Sequence, residues 1–304
     1  MPDYIRRGGL DVAPPPWICA DVGITVFYVH ADASRLQEIC ERTLNVPSGL
    51  DPKNASLTRL KYRPVVSWVA LTFQSFTGMH SGAPADPAGS VREFHTYAES
   101  AFWVMVEDSS GRQLLIPYMF IDDGTCMAAG REIYGFPKEF GTIATPTAAD
   151  PTQPRFSVEA LAVAAGSAEA HKSLILECVH VSTGHLPYAV PSLDPDQILE
   201  SEAINRMQAV FRLFLNGSLD FVFLREIRAL GGMAGSDLQQ VTSACASVKP
   251  DLRSLRILRD YELRIPPLDS HPIARDLGLP SGPISVPFGF QCRCAFSLGT
   301  GRLV

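Results

Sequence analysis

Lysine is scarce in this chain. The 304 residues carry it only at Lys53, Lys61, Lys138, Lys172 and Lys249, so arginine supplies most of the positive charge. Acidic residues outnumber basic ones, the net charge is −6, and no arginine cluster is interleaved with aromatics. That pattern excludes nucleic acid and an acidic membrane surface as expected partners. No apolar run is long enough to span a bilayer. Asp3 and Arg6-Arg7 are followed by no apolar core, so a secretory signal is not expected. The seven cysteines are odd in number and scattered, which argues against a disulfide framework and for thiols kept reduced in a cytoplasm. Cys292-Arg293-Cys294 is too tight a pair for most metal sites, and the histidines show no ligand spacing. Neither a glycine-rich phosphate loop nor a nucleophile elbow is present. No metal and no cofactor are expected.

What is present reads as a globular, β-rich chain. Nearly half of the residues are hydrophobic. The first eighteen residues end near Pro14-Pro15-Pro16 and read as an extended arm, leaving 19–304 as a single domain. Strands are expected at Gly23–His30, Pro64–Phe73, Phe156–Ala164, Leu174–Val181 and Asp220–Leu224, with a final one from Ile284 to Phe296. Tyr97–Glu107 and Gln113–Ile121, joined by Asp108-Ser109-Ser110-Gly111, predict a β-hairpin. Helices are expected from an Asp32 N-cap to about Thr43, from Asp194 to Asn216-Gly217, and near Pro272–Leu277. Residues 78–90 cluster Gly, Ala, Pro and Asp and read as a surface loop. Strands outnumber helices without alternating with them, which excludes a doubly wound parallel sheet. The expected class is α+β, mainly β: a curved antiparallel sheet or cone-like barrel with flanking helices.

One lysine stands apart. In Gly130-Arg131-Glu132-Ile133-Tyr134-Gly135-Phe136-Pro137-Lys138-Glu139-Phe140 it follows a proline inside an aromatic and glycine run. Apolar surroundings disfavour the charged form of an amine, and a neutral amine attacks a ketone to form a Schiff base. The bland alternative for a Pro-Lys pair is a structural lysine on a turn.

Gly-Arg-Glu, an aromatic and Pro-Lys together resemble the active-site segment of the acetoacetate decarboxylase-like family. Met119–Asp123 and Met127-Ala128-Ala129 are similar to the strand and turn leading into that segment. Tyr97-Ala98-Glu99-Ser100 resembles the family's motif around an active-site glutamate, and Pro266-Pro267-Leu268 through Leu277 also fits. The likeness is dense over residues 96–142 and thin elsewhere. It implies a curved antiparallel sheet enclosing the lysine, Lys138 as the Schiff-base residue, Glu99 as the proton-transfer group, no cofactor, a small oxo acid as substrate, and homo-oligomers. The chain is longer than compact relatives, and the extra length is expected near 78–92 and 182–250.

An iminium on Lys138 would serve decarboxylation, aldol addition or dehydration alike, because each needs the same electron sink. Acetoacetate decarboxylase is itself the standard example of a lysine so activated. Three departures bear on the substrate. Glu139 stands where the family has a second lysine, although alternation along a strand would turn it to the opposite face. No arginine occurs in Ile18–Gly23, where the family holds a substrate carboxylate. The family's other glutamate is missing near Ser67-Trp68-Val69. Arg131 is the nearest replacement for the arginine in sequence, and an ion pair with Glu132 is its structural alternative. Tyr97, Tyr134 and Phe136 are the expected substrate-contacting rings; a core ring with a satisfied hydroxyl is the alternative for each tyrosine. The competing reading of the whole chain is a non-catalytic small-molecule-binding member of the same fold.

Overall fold

A computed structural model describes residues 12, 14–45, 61–83, 96–146, 155–181, 188–189, 214, 217–229 and 235–304. The elements are β1 (Trp17–His30), α1 (Ala33–Thr43), β2 (Arg63–Thr77), β3 (His80–Ser81), β4 (Tyr97–Asp108), β5 (Gly111–Ile121), α2 (Gly124–Ile133), β6 (Lys138–Ala144), β7 (Arg155–Val163), β8 (Ala170–His180), β9 (Tyr188–Ala189), β10 (Ser218–Arg228), β11 (Ser236–Leu258), β12 (Tyr261–Arg264), α3 (Ile273–Leu277), β13 (Ile284–Val286), β14 (Phe288–Leu298) and β15 (Arg302–Leu303). Among the described residues no helix is long and apolar enough to cross a membrane.

Seven strands close into a ring in the order β1, β2, β4, β5, β10, β11, β14 and back to β1. Each pairing is antiparallel except the closing one, where β10 runs parallel to β5 with Phe221 opposite Leu114 and Val222 opposite Leu115. Strand residues alternate between faces, so the ring sorts its side chains into two cores. The inner one gathers Tyr28, Trp103, Met119, Phe136, Phe221 and Phe290. The outer one lies between the ring and a second sheet of β7, β8, β12 and β13, under α1 and α3. The mainly β architecture with flanking helices is the class expected from the sequence.

Two strands join the layers. The first half of β6 pairs with β5, Lys138 opposite Met119, and its second half pairs with β7 from Gly141 onward. A Cβ on Gly141 would lie 3.0 Å from the Glu159 carbonyl oxygen and 3.6 Å from the Phe120 Cβ, so the crossing is too close for a side chain. The expected final strand is split by Pro287, which has no N–H to give. Before it β13 pairs with β12 in the outer sheet; after it β14 pairs with β1 and β11 in the ring.

Several boundaries differ from expectation. β1 begins at Trp17, inside the expected arm, because Trp17 and Cys19 are buried while Ile18 and Ala20 are exposed. The expected turn around Met127-Ala128-Ala129 is α2, capped by the Asp123 carboxylate accepting from the Cys126 N–H. Of the 182–250 stretch expected as extra length, 218–228 and 236–250 belong to ring strands β10 and β11. The helix expected from Asp194 and most of the 78–92 loop lie outside the described residues.

Gly135 ends α2 with φ +83°, a left-handed conformation, and a Cβ there would lie 2.5 Å from the Arg225 Cα on β10. Gly135→Ala should therefore lower unfolding free energy by more than the ~1–2 kcal/mol that left-handed backbone costs a residue with a Cβ. Denaturant titration checks this; an unchanged midpoint would contradict the packing.

Candidate functional site

Lys138 opens β6 with its side chain inside the ring. It is 4% exposed, and among the described residues no other lysine or arginine is buried. Its Nζ lies 3.3 Å from Glu99 Oε2, across two neighbouring strands, since Glu99 on β4 is the partner of Ile121 on β5. Glu99 is 6% exposed, and Oε2 lacks the alignment of a true hydrogen bond. The contact is thus an ion-pair separation with loose directionality. Burial raises the Glu99 pKa above the ordinary glutamate value, while the nearby Lys138 pulls it back part of the way.

The lysine stem depends on α2. A Cβ on Gly130 would lie 2.9 Å from both Cδ and Cε of Lys138 and 3.3 Å from Nζ. The missing side chain at 130 is therefore the volume the lysine occupies. The Gly130 carbonyl accepts from the N–H groups of Tyr134, Gly135 and Phe136, which turns the chain from α2 back toward β6.

The amine sits among rings, 5.2 Å from the centroid of Phe136 and 6.0 Å from that of Tyr97. Tyr97 stacks on Phe76 with centroids 4.7 Å apart, and burial pushes its hydroxyl pKa upward. Phe136 packs on Phe223 at 4.2 Å. Tyr134 is fully buried but is spent on structure: its hydroxyl donates to the Gly299 carbonyl and its own carbonyl accepts from the Thr242 hydroxyl. Its ring contacts Phe136 edge-on at 5.6 Å, so it backs the ring that faces the amine.

Arg131 is placed differently from the expected carboxylate-binding role. Its side chain is exposed, and Nη1 donates to the Lys138 carbonyl oxygen at 3.0 Å. It braces the start of β6 and does not share the interior with Nζ. Glu139 is also outside, as strand alternation requires. Its carboxylate meets His271 Nε2 at 2.8 Å, and His271 Nδ1 meets the Ser270 hydroxyl at 2.8 Å, all in the outer layer. The residue in place of the family's second lysine is therefore on the opposite face of the strand from the amine.

Sequence reading passed over two inner polar groups. Gln74 on β2 is the cross-strand partner of Glu99, is buried, and donates to the Thr72 hydroxyl at 3.3 Å. Its signal was the same as that of Glu99, a long polar residue within an apolar strand. Cys126, buried on α2, feels the charges of both Lys138 and Glu99, with burial as the main cause of its raised pKa. Among the described residues no three His, Cys, Asp or Glu side chains group together as a metal site.

A closed ring that buries one lysine against one carboxyl group, beneath a glycine that leaves it room, defines a class of proteins with an amine-centred interior. A sequence model of the family "Acetoacetate decarboxylase (ADC)" matches residues 37–182. Acetoacetate decarboxylase from Legionella pneumophila subsp. pneumophila str. Philadelphia 1 superposes with a TM-score of 0.60 at 16% identity, covering 100% of this chain and 91% of that one. The enduracididine biosynthesis enzyme MppR, complexed with pyruvate, gives 0.57 at 14% identity over 97% and 93% of the two chains. An acetoacetate decarboxylase-like enzyme from Sphingomonas wittichii RW1 gives 0.56 at 12% identity over 97% and 93%. At these identities the structural likeness speaks for the fold alone. No curated protein sequence matches significantly. Residues 37–182 thus resemble the acetoacetate decarboxylase family in sequence, and the chain shares the fold of acetoacetate decarboxylase-like proteins.

The electrostatics of the pair are open to a direct check. Removing the ammonium in Lys138→Met takes away the largest influence opposing burial, so the Glu99 carboxyl should titrate at still higher pH than in the wild type. Carboxyl carbon chemical shifts followed against pH, with Glu99→Gln identifying the signal, give the order. A lower midpoint in Lys138→Met would show that the two side chains do not interact.

Proposed function

We propose that the protein is a cofactor-independent lyase that forms a Schiff base between Lys138 and the ketone of a small oxo acid. The single observation carrying this reading is the buried Lys138–Glu99 pair. One proton can be held between amine and carboxyl group. In the form with the proton on Glu99, the amine is neutral and nucleophilic. Addition to the ketone and loss of water give an iminium on Nζ. In the decarboxylating branch the bond to the carboxylate breaks, carbon dioxide departs, and its electron pair enters the enamine. Glu99, whose first proton has left with the departing water, takes a proton from solvent and supplies it to carbon; hydrolysis of the resulting iminium then releases the product ketone and regenerates the amine.

The surroundings support carboxylate loss. Aromatic rings and a protonatable carboxyl group surround the amine, and among the described residues no second buried cation is present to hold a carboxylate in place. A carboxylate in such a setting is poorly solvated, whereas carbon dioxide is neutral. The aldol branch remains the second reading: MppR has been obtained with the condensation product of pyruvate and imidazole 4-carboxaldehyde, and the same enamine serves both outcomes.

Borohydride trapping with acetoacetate, pyruvate and longer oxo acids, followed by peptide mass spectrometry, tests the proposal. The adduct is expected on Lys138 and should be absent from Lys138→Ala. Glu99→Gln should retain a trappable amine but lose about 10²–10⁴-fold in turnover, the usual contribution of a positioned proton-transfer group. Glu139→Gln, altered only in the outer layer, should still be trapped. No adduct with any acid in folded wild-type protein would favour the non-catalytic binding reading.

A further inference from the structure

The inner core contains a second polar feature, away from the ion pair. Tyr28 on β1 and Trp103 on β4 are 1% and 4% exposed. The Tyr28 hydroxyl and the Trp103 indole Nε1 are both buried and, among the described residues, have no hydrogen-bond partner. They lie in one row across the ring: Tyr28 pairs with Ala70 on β2, and Ala70 pairs with Trp103. Between the two large rings β2 thus contributes a single methyl group. Leaving two polar atoms unpaired in an apolar interior is unfavourable, and tyrosine and tryptophan in cores usually find partners.

The row is connected to the amine. Glu99 and Trp103 are four residues apart on β4 and face the same side, which places them about 13 Å apart along the strand. A continuous series of rings follows the same direction. Phe136, 5.2 Å from Nζ, packs on Phe223 at 4.2 Å; Phe223 stacks on Phe221 at 5.9 Å; and Phe221 meets Trp103 edge-on at 5.7 Å. The strand register also breaks at Trp103. Two residues of β5, Ile116 and Pro117, span the gap opposite this single residue, and proline within a strand is tolerated at such bulges. Bulges re-aim side chains, and this one lies where β4 presents the unpaired indole N–H.

From this arrangement we infer that Tyr28 and Trp103 are specificity-determining residues that bind the distal end of an elongated substrate. That substrate is an oxo acid with an apolar body and a neutral hydrogen-bond acceptor, such as an amide or ketone oxygen, about 10 Å or more from the reacting carbonyl. The indole N–H can only donate and the phenol can donate, so an acceptor satisfies both. The acceptor is uncharged because, among the described residues, Lys138 is the only buried lysine or arginine. The inference rests on the Schiff-base reading for the position of the reacting carbonyl. The recognition itself is independent of covalent chemistry.

The test uses two 2-oxo acids of equal length, one ending in a dimethylamide and the other in its hydrocarbon isostere, titrated calorimetrically into wild type, Tyr28→Phe, Trp103→Phe and the double variant. Wild type should bind the amide about tenfold or more tightly than the isostere, because a site built for a polar group penalises its absence. Each single substitution should reduce that ratio several-fold, and the double should bring it near one. A ratio near one in wild type, a ratio unchanged by the substitutions, or no binding of either acid would overturn the inference. Tyr28→Phe removes an oxygen that has no hydrogen-bond partner among the described residues, so it should melt at or above the wild-type temperature. A fall of several degrees would show the hydroxyl to be structural and would equally overturn it. Pyruvate trapping on wild type reports separately: no trapping with a persistent amide preference would defeat the Schiff-base reading alone.

Discussion

Placing an amine and a carboxyl group 3.3 Å apart inside an apolar ring is the constraint around which the rest of the molecule is arranged. Removing two charges from water is costly, and their attraction offsets that cost only when both are held in position. The ring supplies the holding. Glu99 is fixed by pairing on both sides, to Gln74 of β2 and Ile121 of β5. Lys138 is fixed by its pairing with Met119, by the Arg131 guanidinium on its carbonyl, and by the gap at Gly130. Water is kept away by the aromatic side chains of β2, β4 and β10, so the position of a single proton controls the chemistry of the pair.

Face selection explains why a carboxylate next to Lys138 in sequence leaves this pair undisturbed. The glutamate that follows Lys138 engages His271 between the ring and the outer sheet. What looks in one dimension like a change beside the amine is, across the strand, a change in another compartment. Arg131 shows the converse: near Lys138 in sequence and in contact with its backbone, it is nevertheless outside the interior.

Much of this was legible from residue order. The 97–121 hairpin has two apolar runs around a turn sequence, and α1 begins at the Asp32 cap that the sequence predicts. Lys138, with Glu139 beside it, was legible through the likeness of its segment to the acetoacetate decarboxylase motif, and Glu99 as a carboxylate within an apolar strand. β11 was not legible: its inward residues Ala244, Ala246 and Val248 are too small to contrast with Cys245, Ser247 and Lys249 on the other face. α2 was masked by Gly124 and Gly130, poor helix formers kept for reasons of space in the second case. The closure of the ring between β5 and β10, residues a hundred apart, has no local signal at all. Gln74 carried a signal, but its meaning depends on which strand lies beside it.

The vacancy at Gly130 binds the history of two positions together. While a lysine occupies 138, any side chain at 130 competes for the same volume, so drift at the helix position is blocked by the strand position. Once the lysine is lost, that restriction lifts, and alanine, which favours the helix, becomes the better residue there. Among descendants of this fold, the pair at 130 and 138 would then distinguish chains that still keep an amine from those that have given up the chemistry and filled its space.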